Sequence, residues 1–198
     1  MDSYKTIAQP GDGFYKEKGS KFIALAQLVK SEEEVQQALE VIKKQYYDAR
    51  HHCYAYSLGI EEARTRANDD GEPGHSAGDP ILGQIRSYDL HNCLVVVIRY
   101  FGGTKLGVSG LIHAYKTAAA EALENAVIIE KKITQAVKIR FPYTETNEVM
   151  RKLSELKVDV IDREFTTDCL IQGEILKSQV DRLPEAFKLN STIKVNLG

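Results

Sequence analysis

Residues 92–125 read NCLVVVIRYFGGTKLGVSGLIHAYKTAAAEALEN, and their reading decides the fold. Asn92–Tyr100 is almost continuously apolar, the pattern of a strand covered on both faces. Ser109–Asn125 is rich in alanine and predicts a helix. Between them stands a turn punctuated by Gly102, Gly103, Gly107 and Gly110. Glycines permit tight turns and leave backbone N–H groups accessible. A helix start adds about half a positive charge. Arg99 and Lys105 flank the turn, Thr104 and Ser109 offer hydroxyls, and Lys116 lies two turns beyond Ser109. Such a set can bind a phosphate or carboxylate. A plainer reading is a turn whose glycines let the helix pack on its sheet, and both remain open.

The turn fits no standard nucleotide or nucleophile motif. No Gly-Lys-Ser/Thr closes a Walker A loop, and Thr104 stands where GxGxxG needs its second glycine. Val108-Ser109-Gly110 is not a GxSxG elbow. No nucleophile with a recognisable base is visible, so hydrolase chemistry is not indicated.

Working outward, Lys21–Val29 predicts a strand. Ser31 with Glu34 forms a capping box before Val35, Leu39, Ile42 and Tyr46 at helical spacing. His51–Leu58 predicts a second strand. On it His51 and Cys53 share one face and His52 takes the other. Residues 59–80 read as one long polar loop, a length usually tied to function in a compact domain. It carries Asp69, Asp70, Glu72, His75 and Asp79. These carboxylates suit Mg²⁺ or a general base, or they are ordinary turn chemistry. A third reading pairs them with Arg50 or Arg99, so that the loop covers the glycine turn and the two form one surface. Arg50, Arg99 and Lys105 are then expected to approach one another. Residues 76–87 predict a helix.

From Thr134 the pattern changes. Strands are predicted at Ala136–Phe141, Val158–Phe165, Cys169–Ile175 and Thr192–Leu197. Helices are predicted at Glu145–Leu156 and Gln179–Leu189, the second kinked or delayed by Pro184. That order is βαββαβ, the ferredoxin-like pattern, with two helices on one face of an antiparallel sheet. The fold class is therefore α+β, with domains at 1–130 and 134–198 and a linker over Ile128–Thr134.

Composition narrows the function. The 198 residues are 43% hydrophobic and 27% charged, with a formal net charge of −2. Lys and Arg stand at 16 against 18 acids over residues 1–133, and at 10 each beyond. Neither part is a basic module, so no DNA specificity is indicated and any basic site is local. The cysteines, Cys53, Cys93 and Cys169, form no CxxC pair, and with His75 they lack metal-ligand spacing. No metal and no cofactor is predicted. A reduced cytoplasmic setting fits three unpaired cysteines. No secretory signal and no membrane-length apolar run is visible.

Four stretches together resemble the YigZ/IMPACT family: EKGSKFIA (17–24), DARHHCYAYSLG (48–59), NDDGEPGHSAGDPIL (68–82) and VVIRYFGGTKLGVSGLIHAY (96–115). They occur in order over roughly the first 125 residues. The family pattern after Glu-Pro is a small residue and then Gly-Thr-Ala-Gly. Gly74, His75 and Ser76 occupy those places, so His75 is this chain's own variation. The resemblance implies a ribosomal-protein-like first domain, like the fourth domain of elongation factor G. The second part resembles that factor's last domain in element order. Eukaryotic members regulate translation by competing for the activator of an initiation-factor kinase. Bacterial members are described as translation regulators or nucleic-acid binders without an established reaction. The expected partner is RNA, the ribosome or a translation factor, bound through the glycine turn without catalysis. The alternative is an enzyme or sensor of a phosphorylated small molecule at the same turn. A deep pocket there, with acids from the 69–79 loop, would favour the small molecule. A broad basic groove would favour nucleic acid.

Overall fold

The computed structural model describes residues 2–198 and divides the chain into two compact units. One covers residues 4–131; the other covers 132–198 with the first few residues of the chain.

The larger unit is built on a five-stranded antiparallel sheet. Its strands are β2 (Gly11–Glu17), β3 (Ser20–Leu28), β4 (His51–Leu58), β5 (Arg64–Asn68) and β6 (Cys93–Tyr100), in the order β2-β3-β6-β4-β5. β6 is the central strand, and every residue from Cys93 to Arg99 is buried. Its side chains alternate between two cores, as the period of a strand requires. Cys93, Val95 and Val97 face the core built with α2 (Gly78–Ser87) and α3 (Gly107–Asn125). Leu94, Val96 and Ile98 face Val35, Leu39 and Ile42 of α1 (Glu32–Gln45). This double coverage is why the sequence of β6 shows no polar alternation.

The start of α1 follows the capping pattern. Glu34 N–H donates to Ser31 Oγ at 3.3 Å. The Glu34 carboxylate reaches one residue further back than the usual box, accepting from Lys30 N–H at 2.7 Å.

The structure adds strands β1 (Ser3–Gln9) and β2, where the sequence reading placed none, and departs from that reading elsewhere as well. Residues 59–80 are not a single loop, because Arg64–Asn68 forms the edge strand β5, paired with β4 from Tyr54↔Asn68 to Leu58↔Arg64. Its sequence, RTRAN, has no buried face and so gives no hydrophobic alternation. The stretch read as a linker is largely a strand, β7 (Val127–Lys132), paired with β1 (Ser3–Gln9). Its side chains are mostly exposed, which hides it from a pattern based on burial.

The smaller unit contains β8 (Thr134–Pro142), α4 (Thr146–Glu155), β9 (Asp159–Glu164), β10 (Asp168–Leu176), α5 (Arg182–Ala186) and β11 (Lys194–Leu197). Its four strands are antiparallel in the order β11-β8-β10-β9. Val149 and Leu153 of α4 and Leu183 of α5 close its core over Ile139, Phe141 and Ile171. The last helix is far shorter than the spacing predicts. Pro184 sits in its first turn, where a missing N–H leaves no bond unmade. No helix among the described residues is long and apolar enough to cross a membrane.

α3 lies close against β2. A Cβ on Gly13 would fall 2.5 Å from Ala122 N and 2.6 Å from Ala118 O, both backbone atoms that cannot swing aside. Gly13→Ala is therefore expected to lower stability by about 1–3 kcal/mol through overpacking. Urea denaturation followed by circular dichroism measures this, and an unchanged midpoint would contradict the packing described.

Candidate functional site

The site forms where β4, β6 and the start of α3 meet the loop after β5. Register places Arg99 opposite His51 across β4 and β6, and opposite Phe22 across β3 and β6. Arg99 is 5% exposed. Its Cζ stands 5.5 Å from the ring centroids of both Phe22 and Phe101. Its Nη1 donates to Glu72 Oε1 at 2.5 Å, and these two side chains are 6% and 4% exposed. Glu72 Oε1 also accepts from the Tyr115 hydroxyl of α3 at 2.7 Å, and His51 Nε2 lies 3.9 Å away. One carboxylate oxygen thus joins the loop to β6, α3 and the start of β4. The Tyr115 hydroxyl accepts from Cys53 Sγ at 3.3 Å, and that thiol also faces Asp69 O at 3.0 Å. Burial pushes the Cys53 thiol up, so it stays protonated. Burial likewise raises the Tyr115 phenol, which therefore serves as a hydrogen-bond donor to Glu72.

The other loop acids hold the loop itself. The Asp69 carboxylate accepts from His75, Ala77 and Gly78 N–H at 2.8–2.9 Å. α2 has no side-chain cap from its own Ala77, and Asp69 supplies one from across the loop. Partial burial pulls the Asp69 carboxyl upward, but the three N–H bonds outweigh it and hold it below the ordinary 3.8. Asp70 sits at φ 39°, a left-handed conformation that Asp tolerates. Its carboxylate accepts from His52 N–H at 2.7 Å, and its carbonyl meets His51 Nδ1 at 2.8 Å. His75 Nδ1 pairs with Asp79 at 2.6 Å on the surface, and that bond raises the imidazole.

Beside Glu72 lies a cavity of about 350 Å³. Among the expected site residues, Arg50, Arg99, Lys105, Gly107 and Glu72 line it. His51, Gly71, Pro73, Phe101, Leu106, Val108 and Leu111 complete the wall. The Arg50 guanidinium stands 6.0 Å from the Phe101 centroid. Leu106 caps α3 without a side-chain hydrogen bond, and the first turn of α3 holds no acid.

The rest of the expected set lies elsewhere. Thr104 is exposed and outside the wall. Ser109 and Lys116 share one face of α3, as their spacing implies, but that face looks to solvent while Leu111 is buried and Val108 borders the cavity. Gly102 packs against the turn before β3: a Cβ there would sit 1.9 Å from Gly19 C. Gly103 has open space and requires only its φ of 85°. Asp69, Asp70, His75 and Asp79 do not line the cavity either. Sequence reasoning passed over Phe101, Tyr115 and Pro73. The signal for Tyr115 was present in its position one helical turn after Leu111, on the buried side of α3. Among the described residues no group of three or more His, Cys, Asp or Glu side chains is placed to hold a metal ion.

Residues 18–123, which carry this whole site, match the Impact N-terminal domain. The chain belongs to the IMPACT family. IMPACT family member YvyE of Bacillus subtilis (strain 168) is 36% identical over 155 residues, 78% of this chain and 71% of that one. IMPACT family member YigZ of Escherichia coli (strain K12) is 27% identical over 182 residues, 91% and 89% of the two chains. The crystal structure of a hypothetical protein, 24% identical, aligns with a TM-score of 0.70 over 98% of this chain and 97% of that one. That likeness shows the same two-unit mixed α and β fold. Three of the four motifs that mark the IMPACT resemblance thus build the cavity wall.

Two outcomes follow from the geometry. Glu72→Ala leaves the buried Arg99 charge without its partner and is expected to cost about 3–5 kcal/mol, whereas Glu72→Ala with Arg99→Met recovers much of it. Chemical denaturation of both variants tests this; equal losses would refute the pairing. Asp69 gives a pH signature. Its carboxyl is lowered on folding, so its stabilisation is present above the ordinary 3.8 and lost as pH falls through the folded value. The stability gap between the native chain and Asp69→Asn is expected to shrink below pH 3.8. A gap that stays constant as the pH falls below 3.8 would rule this out.

Proposed function

We propose that this IMPACT-family protein is a non-enzymatic, translation-associated regulator that binds an anionic group through the cavity at the start of α3. The partner that carries the group is RNA, the ribosome or a translation factor. The observation that carries the reading is the convergence of Arg50, Arg99 and Lys105 on one cavity at a helix N-terminus without a side-chain cap. Arg99 and Glu72 neutralise each other, and Arg50 and Lys105 remain to face a ligand. A helix start adds positive potential from its free N–H groups. The buried, protonated Cys53 offers no thiolate nucleophile, in keeping with binding rather than covalent chemistry.

The family resemblance supplies the link to translation. The α+β larger unit suits a ribosomal-protein or elongation-factor-G domain IV type. The β11-β8-β10-β9 sheet of the smaller unit suits a ferredoxin-like domain. A cytoplasmic location is part of the same reading. A second reading, a sensor of a phosphorylated small molecule, draws support from the size of the site: a half-open cavity of about 350 Å³ with Glu72 in its wall.

Ribosome co-sedimentation across a salt titration tests the proposal. Lys105→Glu is expected to weaken association by about tenfold and to reduce the steepness of its salt dependence, since one fewer cation displaces counterions. Association and salt slope both unchanged in Lys105→Glu would overturn the reading.

A further inference from the structure

We infer that the cavity takes a single phosphorylated nucleoside: a terminal phosphomonoester nucleotide rather than the interior of a nucleic-acid strand. This rests on the reading of the cavity as an anion site and names the ligand chemistry that its walls fit.

The argument begins with charge. Among the described residues Arg50 and Lys105 are in no ion pair, while Arg99 is matched by Glu72. Two free cations beside a helix start complement a dianion. A phosphomonoester carries about −1.5 to −2 charges near pH 7, whereas each phosphodiester of a strand carries one. Size points the same way. A cavity of about 350 Å³ lies at the small end of the range for ligand sites.

The remaining walls specify the body of the ligand. Phe101 is 42% exposed at the cavity, with the guanidinium of Arg50 beside its ring. An aromatic ring with a neighbouring arginine plane is a stacking platform for a base. Glu72 adds a directional acceptor. Both of its short hydrogen bonds, from Arg99 and Tyr115, go to Oε1, which leaves Oε2 for a ribose hydroxyl or a base amino group. A second feature independent of the helix start marks the same place. Arg99 is 95% buried in the cavity wall, and its Nε has no hydrogen-bond partner among the described residues. A buried donor left unmatched is rare and calls for an explanation, of which an ion or water at the site is one.

Isothermal titration calorimetry on the full chain tests the inference in two arms. The first compares adenosine and guanosine 5′-monophosphates with the bare nucleosides and with inorganic phosphate. The monophosphates are expected to bind about tenfold or more tighter than either part alone, and Phe101→Ala is expected to lose about tenfold for the nucleotide. Inorganic phosphate is expected to lose less affinity for Phe101→Ala than the nucleotide does. The second arm compares one short single-stranded RNA with a 5′-phosphate, a 3′-phosphate or hydroxyls at both ends. Tighter binding of a phosphorylated end assigns the nucleotide to an RNA terminus. Preference for free monophosphates alone assigns it to a free nucleotide, and both results uphold the ligand chemistry. Equal affinity across every member of both arms overturns it. If ribosome association still falls in Lys105→Glu while both arms show no preference, the nucleotide inference fails and the broader anion reading stands. Thermal melting of Phe101→Ala, expected within a few degrees of the native chain because Phe101 is partly exposed, separates lost binding from lost fold.

Discussion

The buried ion pair between Arg99 and Glu72 is the contact on which the cavity depends. Arg99 comes from the end of the central strand β6 and Glu72 from the loop after β5. Two charges so deeply buried are costly to desolvate, and each is tolerated because the other is present with further polar partners. Tyr115 provides one such partner, tying the same oxygen to α3. The Phe22 and Phe101 rings stand beside the guanidinium, each 5.5 Å from it at the centroid. The pair therefore acts less as a source of net stability than as a device that gives the loop one position.

That position has consequences for the rest of the unit. With Glu72 docked, Asp69 lies where it can cap α2, and Asp70 where it can accept from the backbone of β4. The four acids of the loop thus do different work. Asp69 and Asp70 satisfy backbone donors, Glu72 balances a buried cation, and Asp79 pairs with His75 at the surface. None of these carboxylates is paired with Arg50 or Lys105 among the described residues. A protein with a formal net charge of −2 can in this way present a local positive site.

Much of this was legible in residues alone because local chemistry wrote it. The apolar run of β6, the capping box at Ser31 and the alanine-rich α3 each report their environment directly. The glycine turn was visible, but the part played by each glycine was not. Gly102 is needed because another backbone turn passes against it, and Gly103 only because of its φ. Nothing in GG distinguishes them. The edge strand β5 and the strand β7 escaped notice for a common reason: neither buries a face, so neither imprints a period on its side chains.

The sequence by itself determined the two-part α+β organisation, the family, and the presence of cations and acids around a glycine turn. Those follow from periodicity, from turn-forming residues and from short motifs, all of which act over a few neighbours in the chain. Only the tertiary structure decided which acid meets which cation. Glu72 and Arg99 are 27 residues apart, and Asp69, Asp70 and Asp79 are equally plausible partners on charge alone. The choice was made by strand register and by the packing of α3, which bring Tyr115 and Arg99 to the same carboxylate oxygen and turn Ser109 and Lys116 outward. Coulomb attraction does not distinguish among neighbouring carboxylates, whereas the directional demands of buried hydrogen bonds do.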